Sequence, residues 1–324
     1  MSSKIVIYGP NASAIERFLE TAPPGTELEW VDSNLSLEEQ AEQMKNAVAA
    51  IMVTGRIPVE LVAKCPNLKL VQTISAGTNH LDKAGFGELG VRVSNNGGGN
   101  AVAVAEHTIG LIVNTIRKMQ LQFKYVHDRK WAGDIYAKWF SQSHEIVGKT
   151  VGIVGIGRIG SSVAQRLQGW ECELVYSDVM ALPTDREEKL HVTRLSLDEL
   201  LQTSDIITLH VPLGSSTKAM ISDREFGLMK PTAILINACR GDVVDEAALI
   251  RAIRDEKIAA AGLDVLEEEP TAEDNPLLDM DNVLITPHLA GMSVEAMEKS
   301  RAFALENAAR VARGEDPESV VLPD

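Results

Sequence analysis

Three side chains able to hold anions or move protons stand just past apolar runs in the second half of the chain. Arg240 follows Ile234-Leu-Ile-Asn-Ala-Cys239, Glu269 follows Gly262-Leu-Asp-Val265, and His288 follows Leu284-Ile-Thr-Pro287. An arginine fork grips a carboxylate and polarises a neighbouring carbonyl oxygen. Imidazole is the side-chain type that gains and loses a proton near neutrality. A carboxylate beside it fixes its orientation and favours the charged ring. Each residue alone has a plainer reading. A strand-end arginine is commonly in a surface ion pair. Glu269 sits in the acidic run Glu267-Glu268-Glu269-Pro270, and a histidine after a proline can simply bond a loop. Together, at three strand ends, they suit hydride exchange between a nicotinamide ring and a 2-keto or 2-hydroxy acid. Arg240 would hold the substrate carboxylate, and His288 would pass the proton to and from the oxygen.

The nicotinamide is inferred from an upstream motif. The apolar run from Val151 ends in Gly155-x-Gly157-x-x-Gly160, and a helical pattern follows from Ser161 to Leu167. Gly155 suits a tight strand-to-helix turn, Gly157 a close approach of backbone to pyrophosphate, and Gly160 close helix–strand packing. The helix N-terminus then offers N–H groups and partial positive charge to the anion. A second apolar run, Glu173 to Tyr176, ends at Asp178, at the spacing of a ribose-binding acid. Without that acid, a glycine turn in a nucleotide-free α/β domain would fit as well. No arginine follows Asp178, only Val179-Met-Ala-Leu-Pro183. A 2′-phosphate would therefore meet a carboxylate and no nearby cation, which favours NAD over NADP.

The elements that must position these residues alternate along the chain. Strands are expected at Lys4–Tyr8, Glu27–Val31, Ala49–Val53, Leu68–Ser75 and Gly90–Ser94. Helices are expected at Ala14–Glu20, stopped by Pro23-Pro24-Gly25, at Ser36 to Asn46 and at Pro58–Cys65. Such alternation predicts a parallel sheet. Asn95-Asn-Gly-Gly-Gly-Asn100 reads as a hinge, because glycines absorb large dihedral changes, with a plain surface loop as the alternative. One long helix is expected from Ala101 to near His127, apolar nearly all round in its first half and so buried between domains or subunits. Trp131, Tyr136, Trp139 and Phe140 follow, suited to anchoring a partner surface or to capping their own core. A second α/β series runs from Lys149 to Thr286, and a final helix covers Val294 to about Arg313. Ser36-x-x-Glu39 and Ser196-x-x-Glu199 are capping boxes.

Bulk properties narrow the partners. A chain of 324 residues holds two domains of ordinary size. Its net charge of −15 disfavours nucleic acid and anionic membrane. Cys65, Cys172 and Cys239 show neither disulfide nor metal spacing, which suits a reducing cytoplasm. No signal peptide and no apolar run of transmembrane length is visible.

The chain resembles the D-isomer-specific 2-hydroxyacid dehydrogenases. The resemblance is carried by Ser75-Ala-Gly-Thr-Asn-His80, Val104-Ala-Glu-His107, Val154-Gly-Ile-Gly-Arg-Ile-Gly160, Leu209-His-Val-Pro-Leu213, Ile236-Asn-Ala-Cys-Arg-Gly241, Leu263-Asp-Val265 with Glu269-Pro270, and Thr286-Pro-His-Leu289. It implies an α/β fold of two doubly wound parallel-sheet domains. A Rossmann NAD-binding domain, residues 100–289, would be inserted into a flavodoxin-like substrate domain, residues 1–99 and 290–324. It implies Arg240, Glu269 and His288 as the catalytic set. It implies substrate contacts from Ser75, Ala76, Gly77, Arg240 and His288. Cofactor contacts would come from Thr78, Gly155, Gly157, Arg158, Ile159, Gly160, Asp178, His210, Val211, Pro212, Ala238, Cys239, Arg240, Asp264 and His288. It implies a homodimer formed through the segment after the long helix, with no metal. Two rival functions fit the scaffold. One is an NAD(H)-sensing binding protein like the family's corepressors. The other is a formate or phosphite dehydrogenase; formate enzymes pair the histidine with Gln, so Glu269 argues against that. Arg56 and Arg92 are candidate cations for a phosphorylated substrate or ordinary surface charges.

Overall fold

A computed structural model describes residues 4–22, 26–131, 133 and 142–323. Among these residues the chain forms two compact units, Met1–Asn100 with Met292–Asp324, and Ala101–Gly291. The sequence of the second therefore interrupts that of the first.

The first unit contains strands β1 Lys4–Gly9, β2 Leu28–Asp32, β3 Ala47–Met52, β4 Leu70–Thr73 and β5 Arg92–Ser94. They alternate with helices α1 Ala14–Leu19, α2 Leu37–Met44, α3 Val59–Ala63 and α4 Lys83–Glu88. The sheet order is β2-β1-β3-β4-β5, with every pair parallel. That is the flavodoxin-like arrangement. Both faces are buried, so the strands are continuously apolar and alternate residues feed separate cores. Val6 and Tyr8 of β1 pack on one face, and Ile5 and Ile7 on the other.

The second unit opens with α5 Ala101–Ile116 and α6 Met119–His127. The single long helix expected from the sequence is broken here. Lys118 adopts a left-handed conformation, φ 51°. The apolar pattern runs through the break because no Gly or Pro marks it. Two donors take up the carbonyls it frees: the Gln122 side-chain Nε2 donates to Arg117 O at 2.7 Å and the His144 backbone N–H to Ile116 O at 3.3 Å. Then come β6 Thr150–Val154, α7 Arg158–Leu167, β7 Glu173–Ser177, α8 Thr184–Leu190, β8 Val192–Arg194, α9 Leu197–Thr203, β9 Ile206–Leu209, α10 Asp223–Leu228, β10 Ile234–Asn237, α11 Glu246–Arg254, β11 Ala260–Leu263 and β12 Val283–Ile285. The sheet order is β12-β11-β10-β9-β6-β7-β8, again parallel throughout. This is the Rossmann order with one added strand. The order in which successive strands are added reverses between β6 and β9, and such sheets bind ligands at that point. The last helix, α12 Val294–Ala312, returns to the first unit and covers β1, β3 and β4.

The helices α4 and α8 and the strand β8 were not expected from the sequence. Gly85 and Gly87 inside α4 obscure it, and β8 is three residues long. Both expected capping boxes form, at Ser36–Glu39 and Ser196–Glu199. Trp131 is exposed, whereas Tyr136, Trp139 and Phe140 lie outside the described residues.

Candidate active site

The glycine turn is built by close packing. Gly155 has φ +91°, and a Cβ there would lie 2.6 Å from the His210 carbonyl oxygen. A Cβ on Gly160 would lie 2.1 Å from the Gly155 oxygen. Gly157 differs: nothing lies within 4 Å of a Cβ there, so open space stands over the start of α7. Arg158 is exposed and Ile159 half-buried at that helix start. Asp178 ties the turn to the end of β7. Its Oδ2 accepts from Ile156 N at 2.8 Å and its Oδ1 from Met180 N at 3.0 Å. The forced turn, the open helix terminus and a carboxylate at the neighbouring strand end fit a dinucleotide.

The space near Asp178 is not free of cations, as the sequence had suggested. Arg194, at the end of β8, donates through Nη2 to the Asp178 carbonyl oxygen at 2.9 Å. Strand pairing brings it there: Tyr176 and Arg194 are partners in the β7–β8 register. Across the switch point, His210 N donates to Val154 O at 2.7 Å. Its Nε2 lies 2.9 Å from Thr208 Oγ1, and its Nδ1 has no partner among the described residues. Burial pushes this imidazole down to about 3, so the ring is neutral. Val211 is half-buried and Pro212 exposed beside it.

The reactive side chains occupy the carboxyl ends of β10, β11 and β12, which are adjacent. Asn237 shapes the turn after β10: its Oδ1 accepts from Cys239 N at 3.0 Å and its Nδ2 donates to Arg240 O at 2.9 Å. Ala238 and Cys239 are buried, and burial pushes the Cys239 thiol up to about 11. Gly241 is needed because a Cβ would lie 1.8 Å from Leu266 O, so the Arg240 turn rests directly on the loop after β11. In that loop Glu269 Oε1 accepts from Leu266 N at 3.0 Å. Its Oε2 lies 2.6 Å from His288 Nδ1. Both partners are partly exposed, at 37% and 47%, so the pair faces solvent-accessible space. Arg240, half-buried, thus stands on a loop joined through Glu269 to His288.

His288 has φ +54°, a left-handed backbone uncommon for a residue with a side chain. Asp264, 1% exposed, holds it there. The Asp264 carbonyl accepts from His288 N at 2.8 Å, and its carboxylate accepts from Leu289 N at 3.0 Å and Ala290 N at 2.8 Å. Thr286 Oγ1 donates to Asp264 Oδ1 at 2.6 Å, and His107 Nε2 of α5 lies 3.0 Å from that hydroxyl. Burial pushes the Asp264 carboxyl up, but the bonds from His107, Thr286, Ala290 and Leu289 outweigh it and leave it below its ordinary value. Asp264 was expected only as a cofactor contact, and neither His107 nor Thr286 was singled out for a role. The available signal was a lone histidine in the apolar first half of α5.

In the first unit, Ser75 to Thr78 form the loop after β4. Thr73 Oγ1 donates to Ser75 O at 2.8 Å and Ser75 Oγ to Gly77 O at 2.9 Å. Thr78 is buried at 5% exposure, and Ala76 and Gly77 are half-buried. Among the described residues the N–H groups of Ala76, Gly77 and Thr78 donate to nothing. No group of three or more His, Cys, Asp or Glu able to hold a metal occurs among the described residues.

Residues 109–290 match the family model for the D-isomer specific 2-hydroxyacid dehydrogenase NAD binding domain. A glyoxylate reductase of Thermofilum pendens is 35% identical over 287 residues, 88% of this chain and 84% of that protein. A D-3-phosphoglycerate dehydrogenase of Archaeoglobus fulgidus is 35% identical over 90% of this chain and 54% of its own length. The crystal structure of D-lactate dehydrogenase with NAD+ from Lactobacillus jensenii superposes with a TM-score of 0.80 at 30% identity, covering 99% of this chain and all of that one. On these likenesses the chain belongs to the NAD-dependent D-isomer-specific 2-hydroxyacid dehydrogenases.

Proposed function

We propose that the chain reduces a small, unphosphorylated 2-keto acid to its D-2-hydroxy acid, with Arg240, Glu269 and His288 as the catalytic set. The observation that carries this reading is the 2.6 Å contact between His288 Nδ1 and Glu269 Oε2. Bound NADH supplies the hydride that reaches C2 of the keto acid. With Nδ1 turned to Glu269, His288 Nε2 is the nitrogen left to protonate the substrate oxygen. The Glu269 carboxylate holds Nδ1 and fixes the plane of the ring. Arg240 grips the substrate carboxylate. Asp178 would take the adenosine ribose of the bound cofactor, and Arg158 and Ile159 would hold its pyrophosphate.

The small substrate is read from the glyoxylate reductase likeness, which spans most of both chains. The test is NADH oxidation with glyoxylate, hydroxypyruvate, pyruvate and 3-phosphohydroxypyruvate. Glyoxylate or hydroxypyruvate should turn over fastest. Turnover of the phosphorylated acid alone would reject the substrate class, and turnover of none would reject the reaction.

The unit of Met1–Asn100 with Met292–Asp324 is read as the substrate domain, its Ser75–Thr78 loop binding an anion through backbone N–H groups that have no acceptor among the described residues. The protein is read as a cytoplasmic homodimer. Phe123 and Val126 on α6, with Trp131 beyond it, leave large apolar surface exposed. A monomer mass by light scattering would reject the dimer.

A further inference from the structure

We propose that His107 is a positioning residue for His288, acting through Thr286 and the Asp264 carboxylate. The proposal rests on the reading of His288 as the proton donor.

The hydrogen-bond directions follow from counting protons. The Thr286 hydroxyl has one proton, and the 2.6 Å contact directs it to Asp264 Oδ1. His107 Nε2, 3.0 Å from the Thr286 hydroxyl oxygen, must then be the donor. Its N–H also faces Asp264 Oδ1 at 3.4 Å. The chain therefore runs His107 Nε2–H to Thr286 Oγ–H to Asp264. At its far end the Asp264 carboxylate receives the N–H groups of Leu289 and Ala290, and its backbone carbonyl receives that of His288. All three backbone groups belong to the segment that keeps His288 left-handed. The imidazole of His107 is the only side-chain donor from α5 recorded on this assembly among the described residues. It registers the 286–290 loop against a helix whose neighbouring residues, Val104, Ala105 and Thr108, are buried.

A purely stabilising role predicts something different. Removing His107 would then lower melting temperature and cofactor affinity together, with turnover per folded enzyme unchanged. A positioning role predicts misplacement of His288 by a fraction of an ångström, which acts on the chemical step. At saturating NADH and keto acid, His107→Ala should lower kcat by about 10- to 100-fold. The NADH dissociation constant should stay within about twofold. His107→Gln, which retains an N–H at the Nε2 position, should recover most of the loss. Thr286→Val should reproduce His107→Ala, and the double variant should be no worse than the poorer single one. Thr286→Val also serves if His107→Ala does not fold.

Parent-like kcat in both His107→Ala and Thr286→Val would overturn the proposal. So would a parallel loss of NADH affinity and stability without rescue by glutamine. His288→Ala, assayed alongside, separates the two levels of argument. Near-parent turnover of that variant rejects His288 as the donor. Its collapse beside an active His107→Ala rejects only the positioning role.

Discussion

The seven-stranded sheet carries two functional ends that work by opposite means. At the β6–α7 turn, on the function proposed above, backbone would do the binding and side chains are excluded. Gly155 and Gly160 are packed against carbonyl groups, and Gly157 leaves space bare. At the ends of β10, β11 and β12, side chains would do the work and the backbone is bent to present them. His288 is held left-handed, and Gly241 lets the Arg240 turn lie against the next loop. Pyrophosphate is common to every turnover and unchanged by it, so fixed N–H groups suffice. Proton transfer needs a group that changes charge, and only a side chain supplies that.

Substitutions at the two ends should therefore separate chemistry from binding. His288→Ala should depress turnover by about 10²- to 10⁴-fold. NADH affinity by fluorescence titration should remain within a few-fold. An equal loss of both would erase the distinction between the ends. Gly155→Ala should do the reverse. Left-handed backbone and a blocked Cβ cost about 1–3 kcal/mol, which appears as roughly 5- to 150-fold weaker NADH binding. Its kcat at saturating NADH should stay within a few-fold of the parent. A Gly155→Ala variant with normal NADH affinity but low kcat would contradict the comparison.

His210 offers a pH test of the cofactor end. Its folded value, about 3, lies below the unfolded one, about 6.5. Between the two the unfolded chain binds more protons, so stability falls as pH falls through that window. The slope is about 1.4 kcal/mol per pH unit. Between about pH 6.5 and pH 5 this amounts to about 2 kcal/mol, and His210→Gln should remove that share. Urea unfolding of parent and variant at both pH values measures it; identical pH dependence would refute a neutral buried His210.

The smallest expected effect is at Arg194, an exposed guanidinium whose field water and salt screen. Arg194→Met should raise KM for NADPH by about threefold to tenfold and leave NADH unchanged, since only the former carries a 2′-phosphate. Equal effects on both cofactors would remove Arg194 from this selectivity.

Much of this molecule follows from local pattern. Continuous apolar strands alternating with helices predict buried parallel sheets, because both faces of such a strand are covered. Ser36 and Ser196 cap their helices through bonds three residues away. The spacing from Gly155 to Asp178 announces a nucleotide turn because one βαβ unit spans it. Arg240, Glu269 and His288 are legible as strand-end residues, and Glu269 and His288 meet at 2.6 Å.

Other features depended on partners distant in sequence. The break at Lys118 is compensated by His144, and no local residue signals it. Arg194 reaches Asp178 only because β8 pairs with β7. His107 and Thr286 lie 179 positions apart and meet through the packing of α5 on the sheet. The sequence by itself determined the sheets, the nucleotide turn and the identity of the reactive groups, since these follow from backbone periodicity and residue chemistry. Tertiary structure decided how His288 is held, because its left-handed backbone persists only where bonds from Asp264, just past β11, and through Thr286 from α5, converge on its segment.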